Sequence, residues 1–399
     1  MWVAHVEGTP EQIGEAGATM SAGIQRRAEA SLYATFTDLL PNRFVQYGLA
    51  RGLPFLGRAI VADSPPEYLR ELAAYTQIGE DPWWWLTPVY TRKLMMHALH
   101  DVGQAMVGTP LLDGCTGFMA GGDWTVDGHW LLARNWDFGG GAPFSEDKAI
   151  VAIHREGAIP FVHVAMLGLA GSVSGVNEAG IAIALQAAAS DSPVRPGAPM
   201  IFIAREVLEN ARSLDDVQRI LEGRSGFVSE AVLAVDGEHG EAAVFEVTPT
   251  DVDRIEVGTH LAQSNHLRGR HAGDGTNTAR MEHGTTVERL SRMQSLLDAG
   301  PVDIPRAITM LRDRGEGLVD GDERAINADI AAHGVVIDAT ARTITVGAWP
   351  NVAGEFVRFS LADILADRMD GEVMAEADDP ERSLRVHLAK EQGSWRAGP

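Results

Sequence analysis

The 399-residue sequence holds a single cysteine, Cys115, so no disulfide can form within the chain and no cysteine cluster can bind a metal. Long apolar runs are missing as well. The best, from Gly48 to Ala62, is broken by Arg51 and Arg58 and falls short of the roughly 18 to 20 apolar residues a spanning helix needs. Positive charge is scarce, with 33 Lys and Arg against 55 Asp and Glu and a formal net charge of −22. A field of that sign repels phosphate backbones and anionic lipid surfaces, which argues against nucleic acid or membrane as a partner. The start, Met1-Trp2-Val3-Ala4-His5-Val6-Glu7, has neither a basic region nor an apolar stretch, so nothing marks the chain for export and a cytoplasmic location is expected. No Pro/Ser-rich linker, low-complexity tract or repeat divides it. What is there is an ordinary globular composition, 45% hydrophobic, with material for a large core.

Residues 10 to 113 read as helical, with Pro10 and Pro66 at first-turn positions and Leu69, Leu72 and Tyr75 at helical spacing. From Cys115 onward the pattern turns to hairpins. Runs 115–124 and 129–138 flank Asp127-Gly128, runs 149–154 and 161–167 flank Glu156-Gly157, and runs 172–176 and 181–186 flank Asn177-Glu178-Ala179-Gly180. Helices are expected at 200–211, 214–221, 286–297 and 305–312. Strands are expected at 231–235 and 242–247, with a last hairpin at 334–337 and 343–348 and a strand at 356–361. Grouped hairpins and grouped helices point to an α+β fold with antiparallel sheets. The unbroken apolar run Ile181-Ala182-Ile183-Ala184-Leu185 implies a sheet buried on both faces, as two sheets between helical layers would be.

Chemistry concentrates around the cysteine. Asp113-Gly114-Cys115-Thr116 precedes the turn, and Arg134-Asn135-Trp136-Asp137-Phe138 follows it. A three-residue loop at 127–129 sets Met119 opposite Asp137 and turns Asp137 to the Cys115 face, whereas a two-residue loop turns it away. An acid between Trp136 and Phe138 is costly to bury without a partner, and a charged centre at Cys115 would supply one.

These residues resemble the acyl-coenzyme A:6-aminopenicillanic acid acyltransferase group of N-terminal-nucleophile hydrolases, more distantly related to choloylglycine hydrolases and acid ceramidases. The resemblance extends, more weakly, to Glu7-Gly8-Thr9-Pro10, to Gly175-Val176-Asn177-Glu178, and to Ser264-Asn265-His266. It implies a four-layer αββα sandwich and a precursor that cuts itself between Gly114 and Cys115. The products would be a helical fragment, 1–114, and a catalytic fragment, 115–399, held together as a heterodimer, with higher oligomers left open. Gly114 has no Cβ to shield its carbonyl. The freed α-amine, with an ordinary pKa of roughly 7.7 to 8.0, suits the thiol proton, so Cys115 would be nucleophile and base at once. The substrate would be a small acyl amide, with no metal and no cofactor. The resemblance assigns oxyanion donors to Asn177 and Asn265, orientation of the Cys115 amine and thiol to Asp137, substrate positioning or pairing with Asp137 to Arg134, and substrate contact to Arg324.

Plainer readings compete. Cys115 could be core filler on an uncut scaffold, Asn177 a turn residue, Asn265 a loop residue, and Arg134 an outward cation. A Cys-His pair with His163 or His266 is a further nucleophilic option. His266 and His271 are expected to be solvated, Trp83-Trp84-Trp85 to pack in the core, Gly139-Gly140-Gly141 to form a turn, and the acidic 376–381 stretch to be surface.

Overall fold

A computed structural model describes residues 1–39, 41–77, 81, 83–107, 113–138, 142–166, 168–195, 197–315, 317–318, 322–328, 330–348, 352–378 and 395–396. Strand β1 (Trp2–Gly8) opens the chain and is followed by helices α1 (Pro10–Leu39), α2 (Arg43–Asp63), α3 (Pro66–Tyr75), α4 (Val89–His97) and α5 (Leu99–Val107). Next come β2 (Asp113–Ala120), β3 (Leu131–Phe138), α6 (Ala142–Glu146), β4 (Lys148–Arg155), β5 (Phe161–Met166), β6 (Ser174–Asn177) and β7 (Ile181–Ala187). Helices α7 (Met200–Asn210) and α8 (Leu214–Glu222) precede β8 (Glu230–Asp236), β9 (Glu241–Val247), β10 (Val252–Val257) and β11 (His260–Gln263). The chain ends with α9 (Gly275–His283), α10 (Thr286–Leu297), α11 (Ile304–Leu311), β12 (Ala331–Asp338), β13 (Thr343–Gly347), β14 (Phe356–Ser360), α12 (Leu361–Leu365), β15 (Glu372–Ala375) and β16 (Trp395–Arg396).

Among the described residues the strands form two sheets, a nine-stranded one in the order β10-β9-β8-β7-β6-β5-β4-β1-β16 and a seven-stranded one in the order β11-β2-β3-β12-β13-β14-β15. All pairings are antiparallel except those of β1, which runs parallel to both β4 and β16. Three buried clusters show the layering. The first joins α1, α3, α7 and α8 to one face of the larger sheet through Ile13, Leu72, Phe202, Val217, Ile183 and Leu185. The second lies between the sheets, with Ile150, Val164 and Leu233 facing Leu132, Val335 and Ile344. The third seats Met293 of α10 and Ile308 of α11 on Phe118 and Ala133 of the smaller sheet. Helix, sheet, sheet and helix are thus stacked in order, the four-layer αββα sandwich expected. On β7, Ile183 and Leu185 face helices while Ala182 and Ala184 face the other sheet, so every position is buried.

The amino-terminal segment is woven into this sandwich. β1 lies inside the larger sheet rather than beside it, so residues 1–107 are mostly helical with one structural strand. A buried ionic cluster ties α3 to α7: Arg205 Nη1–H donates to Glu71 Oε1 (2.8 Å) and Nε–H to Glu209 Oε1 (2.9 Å), while Tyr68 Oη–H donates to Glu209 Oε2 (3.0 Å). The expected core packing of the tryptophan triplet is not found: Trp84 is 76% and Trp85 45% exposed. Gly139-Gly140-Gly141, read as a turn, lies outside the described residues, as do residues 379–381 of the acidic stretch.

His97, at the end of α4, is buried between Lys93 O (2.7 Å from Nδ1) and the Ala170 N–H, which donates to Nε2 (2.9 Å). Accepting at Nε2 requires the neutral ring, and burial pushes the pKa down to about 4. The folded state therefore binds fewer protons than the unfolded one below the ordinary value of roughly 6.5. The contribution of His97 is intact above that pH and is lost as pH falls towards about 4. His97→Gln, which can still donate and accept, should remove about 1.4 kcal/mol per pH unit from the acid slope of unfolding free energy in that window. Denaturant titrations at several pH values measure this; an unchanged slope would contradict it.

Candidate active site

The β2–β3 register decides which side chains meet the cysteine. Gly114 pairs with Asp137, Cys115 with Trp136, and Gly117 with Arg134, and the connecting loop spans 121–130. Directly paired residues share a face. Cys115, Trp136 and Arg134 therefore look into the space between the sheets, whereas Gly114, Thr116 and Asp137 look outward, towards α10. This differs from the three-residue-loop register, which placed Asp137 on the face of the thiol.

Arg134 is fully buried and takes the place beside the sulfur. Its Nη2–H donates to Cys115 Sγ at 3.2 Å and to the Leu185 carbonyl, and Nη1–H donates to Ser174 Oγ at 2.8 Å. The side chain crosses from the smaller sheet to β6 and β7, so the outward-cation reading is set aside. A guanidinium at this distance, screened from water, favours negative charge on sulfur.

The main chain of Cys115 is held as firmly as its thiol. β11 pairs with β2, Gln263 opposite Gly117, which delivers the following residues to the cysteine. The Cys115 N–H donates to Asn265 Oδ1 at 2.6 Å. Arg289, on α10, donates from Nη1 to Cys115 O (2.7 Å) and Thr116 Oγ1 (2.6 Å), and from Nη2 to the same Asn265 Oδ1 (2.8 Å). Two donors converging on Oδ1 fix the amide orientation of Asn265. Its Nδ2 gives one hydrogen to Ala187 O (2.9 Å), leaving one for another acceptor. Burial pulls the Arg289 guanidinium below its ordinary pKa, and the Asp137 and Cys115 charges oppose that pull.

Asp137 is buried against the residue that precedes Cys115: a Cβ built on Gly114 would stand 2.8 Å from Asp137 Oδ2. That contact is a structural reason for glycine here besides access to its carbonyl. Gly114→Ala should displace the carboxylate and slow the self-cleavage expected from the sequence about tenfold or more, with Asp137→Asn acting in the same direction. Band densities on a denaturing gel over time measure both; cleavage at the parent rate would remove Asp137 from the site.

The structure does not bring Asn177 to this group. It is the last residue of β6, beside the start of β7, with both Nδ2 hydrogens given to Leu208 O (2.9 Å) and Ala211 O (2.8 Å), while Oδ1 accepts from Ile181 N–H (2.9 Å). In this conformation it pins the turn to α7 and has no hydrogen left for an oxyanion. Arg324 is half-exposed and bidentate with Asp322 at 2.9 and 2.6 Å. The histidines offered as bases have other partners. His163 Nδ1 meets Ser172 Oγ at 2.9 Å, and His266 Nδ1 meets Thr286 Oγ1 at 2.9 Å. Burial lowers their pKa values to about 3 and about 4, so His266 is an enclosed neutral ring and not a solvated one.

The sequence matches the family described as acyl-coenzyme A:6-aminopenicillanic acid acyl-transferase over residues 124–345, more than half of its length. The chain belongs to that family. The span matched to the acyl-transferase family carries Arg134, Asp137, Asn265 and Arg289, and Cys115 lies just ahead of it. No curated protein matches the sequence. Among solved structures, a mutant conjugated bile acid hydrolase from Clostridium perfringens is 14% identical, with 69% of this chain and 99% of that one covered and a TM-score of 0.45. An N-acylethanolamine-hydrolyzing acid amidase ortholog from Caenorhabditis elegans is 14% identical, covering 65% and 100%, at 0.42. Penicillin V acylase from Agrobacterium tumefaciens is 16% identical, covering 59% and 83%, at 0.41.

Sequence reasoning missed Arg289. It stands four positions after Thr285 in a polar helix start, and Arg289 Nε–H donates to Thr285 Oγ1 at 3.1 Å. Its local context reads as a surface residue. Only the packing of α10 on β2 turns it inward.

Proposed function

We propose that this family member is a self-processing amidohydrolase or acyltransferase with Cys115 as its nucleophile. The observation that carries the reading is the double hold on one residue, its N–H on Asn265 Oδ1 at 2.6 Å and its Sγ on Arg134 at 3.2 Å. Thiol attack on the Gly114 carbonyl carbon breaks the peptide C–N bond as the nitrogen takes up a proton. The product is a thioester to Gly114 and a free amine on Cys115; water then releases the Gly114 carboxylate and the thiol.

In turnover the amine takes the thiol proton, the thiolate attacks the amide carbonyl of the substrate, and the proton passes to the departing amine. The acyl thioester is then resolved by water or by an acceptor amine. Asn265 Oδ1 holds one amine hydrogen and so leaves the nitrogen lone pair for the thiol proton. The proton work is done on Cys115 itself, and no step calls for a metal or cofactor. The fragments 1–114 and 115–399 stay together as a heterodimer because β1 is hydrogen-bonded along its length to β4.

Intact-mass measurement after incubation with a panel of acyl amides tests the reading. The expected result is a pair of polypeptides of 114 and 285 residues, the larger starting at Cys115 and gaining the mass of an acyl group. An uncut chain in an active preparation, or a new terminus at another residue, would overturn it.

A further inference from the structure

A row of side chains crosses three strands on the face of the nucleophile: Cys115 on β2, Trp136 on β3 and His333 on β12, each paired with the next. The Trp136 and His333 rings lie 5.2 Å apart, and a β-bulge beside His333 ends the regular ladder there. Both side chains are buried, yet Trp136 Nε1 and His333 Nε2 have no hydrogen-bond partner among the described residues, nor does Nε of the neighbouring Arg134. Buried polar atoms are normally satisfied, so orphaned nitrogens on the sheet face that carries Cys115 mark a place where a partner belongs. Burial, together with Arg134, Lys148 and His163, keeps the His333 ring neutral, able to donate from one nitrogen only.

We propose that Trp136 and His333 form a polar subsite for the acyl group carried on Cys115, selecting acyl groups that carry an oxygen acceptor a few atoms beyond the reacting carbonyl. This rests on the reading of Cys115 as the acylated residue. With strands about 4.8 Å apart, the two rings lie roughly 5 to 10 Å across the sheet from the cysteine, the reach of the third to fifth acyl carbons. The Trp136 indole N–H can donate to such an oxygen, and His333 supplies the second donor through its Nε2–H tautomer. A bare hydrocarbon would leave both nitrogens orphaned, a loss that sites built for a polar group impose on analogues lacking it. The subsite is therefore a specificity device, distinct from the groups that hold the thiol and the amine.

Hexanoyl anilide and its derivatives methoxylated at the third, fourth or fifth acyl carbon serve as probes with the cleaved enzyme. At least one ether is expected to exceed the plain chain in kcat/KM by about tenfold. His333→Phe and Trp136→Phe each keep a ring and remove a nitrogen, and each should bring that ratio to about two or less. A ratio is read within one preparation, so partial loss of folded enzyme does not move it, and either variant suffices if the other fails to fold. Equal rates for ether and plain chain in the parent enzyme, or a preference that survives both replacements, would overturn the subsite and leave those nitrogens to ordered water. If no anilide acylates Cys115 by mass, the reading of the nucleophile fails and the subsite with it.

Discussion

Cys115→Ala is expected to yield one unbroken chain with no amide turnover, and Cys115→Ser a chain that still divides, slowly, but acylates poorly. Alanine removes the nucleophile of both reactions while deleting one buried atom, so the fold should survive. The residue is completely enclosed, and Arg134 donates a hydrogen bond to its sulfur. Serine keeps an attacking atom in place, yet a hydroxyl ionises far less readily than a thiol, and the guanidinium at 3.2 Å then has a much weaker anion to favour. Turnover by the serine form should fall about a thousandfold or more, in line with losses of a nucleophile elsewhere. The alanine form should show the full-length mass, and an alanine chain that splits at residue 114 would assign the cut to an outside protease.

The parts of the fold that could be read ahead of the structure are those whose signal is local. The hairpins of β4 with β5 and β6 with β7 carry glycine turns between apolar runs, and the unbroken apolar stretch of β7 shows its double burial directly. β11 has only four residues, His260–Gln263, half of them polar, and is a strand because β2 pairs with it. β1 becomes structural only when β4 arrives beside it, from about 140 residues away in sequence. The β2–β3 register turned on loop length, and packing set that. The Trp130 indole lies where a Cβ of Gly121 would be, 2.1 Å from its Cδ2, so the strands end at Ala120 and Leu131 and Asp127-Gly128 is left out on the loop.

The same division runs through the site. Cys115, Gly114 and Asp137 were legible because they are close in sequence and chemically unusual together. Asn265 was legible as a residue but not in its geometry: its oxygen faces the main chain of Cys115, while its amide nitrogen is turned to Ala187 O. Asn177 shows the opposite outcome, a good turn sequence acting as a turn. Arg289 and His333 were invisible because their meaning lies in contacts across more than 170 residues, Arg289 with Cys115 and His333 with Trp136. Hydropathy along the chain carries no record of which cation will be covered by which helix.

Arg205→Met should be the most damaging change away from Cys115, because it strips the cation from two enclosed carboxylates on opposite sides of the proposed cut. Glu71 belongs to α3, before Cys115, and Glu209 to α7, after it, and Arg205 bonds to both while its guanidinium lies 4.6 Å over the Tyr68 ring. Arg155 reaches Glu209 at 2.6 Å but has no bond to Glu71, whose carboxyl burial already pushes up in pKa. Removing one member of a buried ion pair costs about 3 to 5 kcal/mol, mostly through the charge left behind. Denaturant unfolding of the uncut Cys115→Ala chain reads that cost with both carboxylates still on one polypeptide. In the cut enzyme the same loss falls on fragment association and should weaken it by roughly two to three orders of magnitude, seen as separation of the fragments on dilution. Adding Glu71→Gln should restore part of the stability by removing the stranded charge. A loss below about 1 kcal/mol for Arg205→Met alone would mean that the ionic cluster is energetically neutral and that β1 holds the fragments by strand pairing.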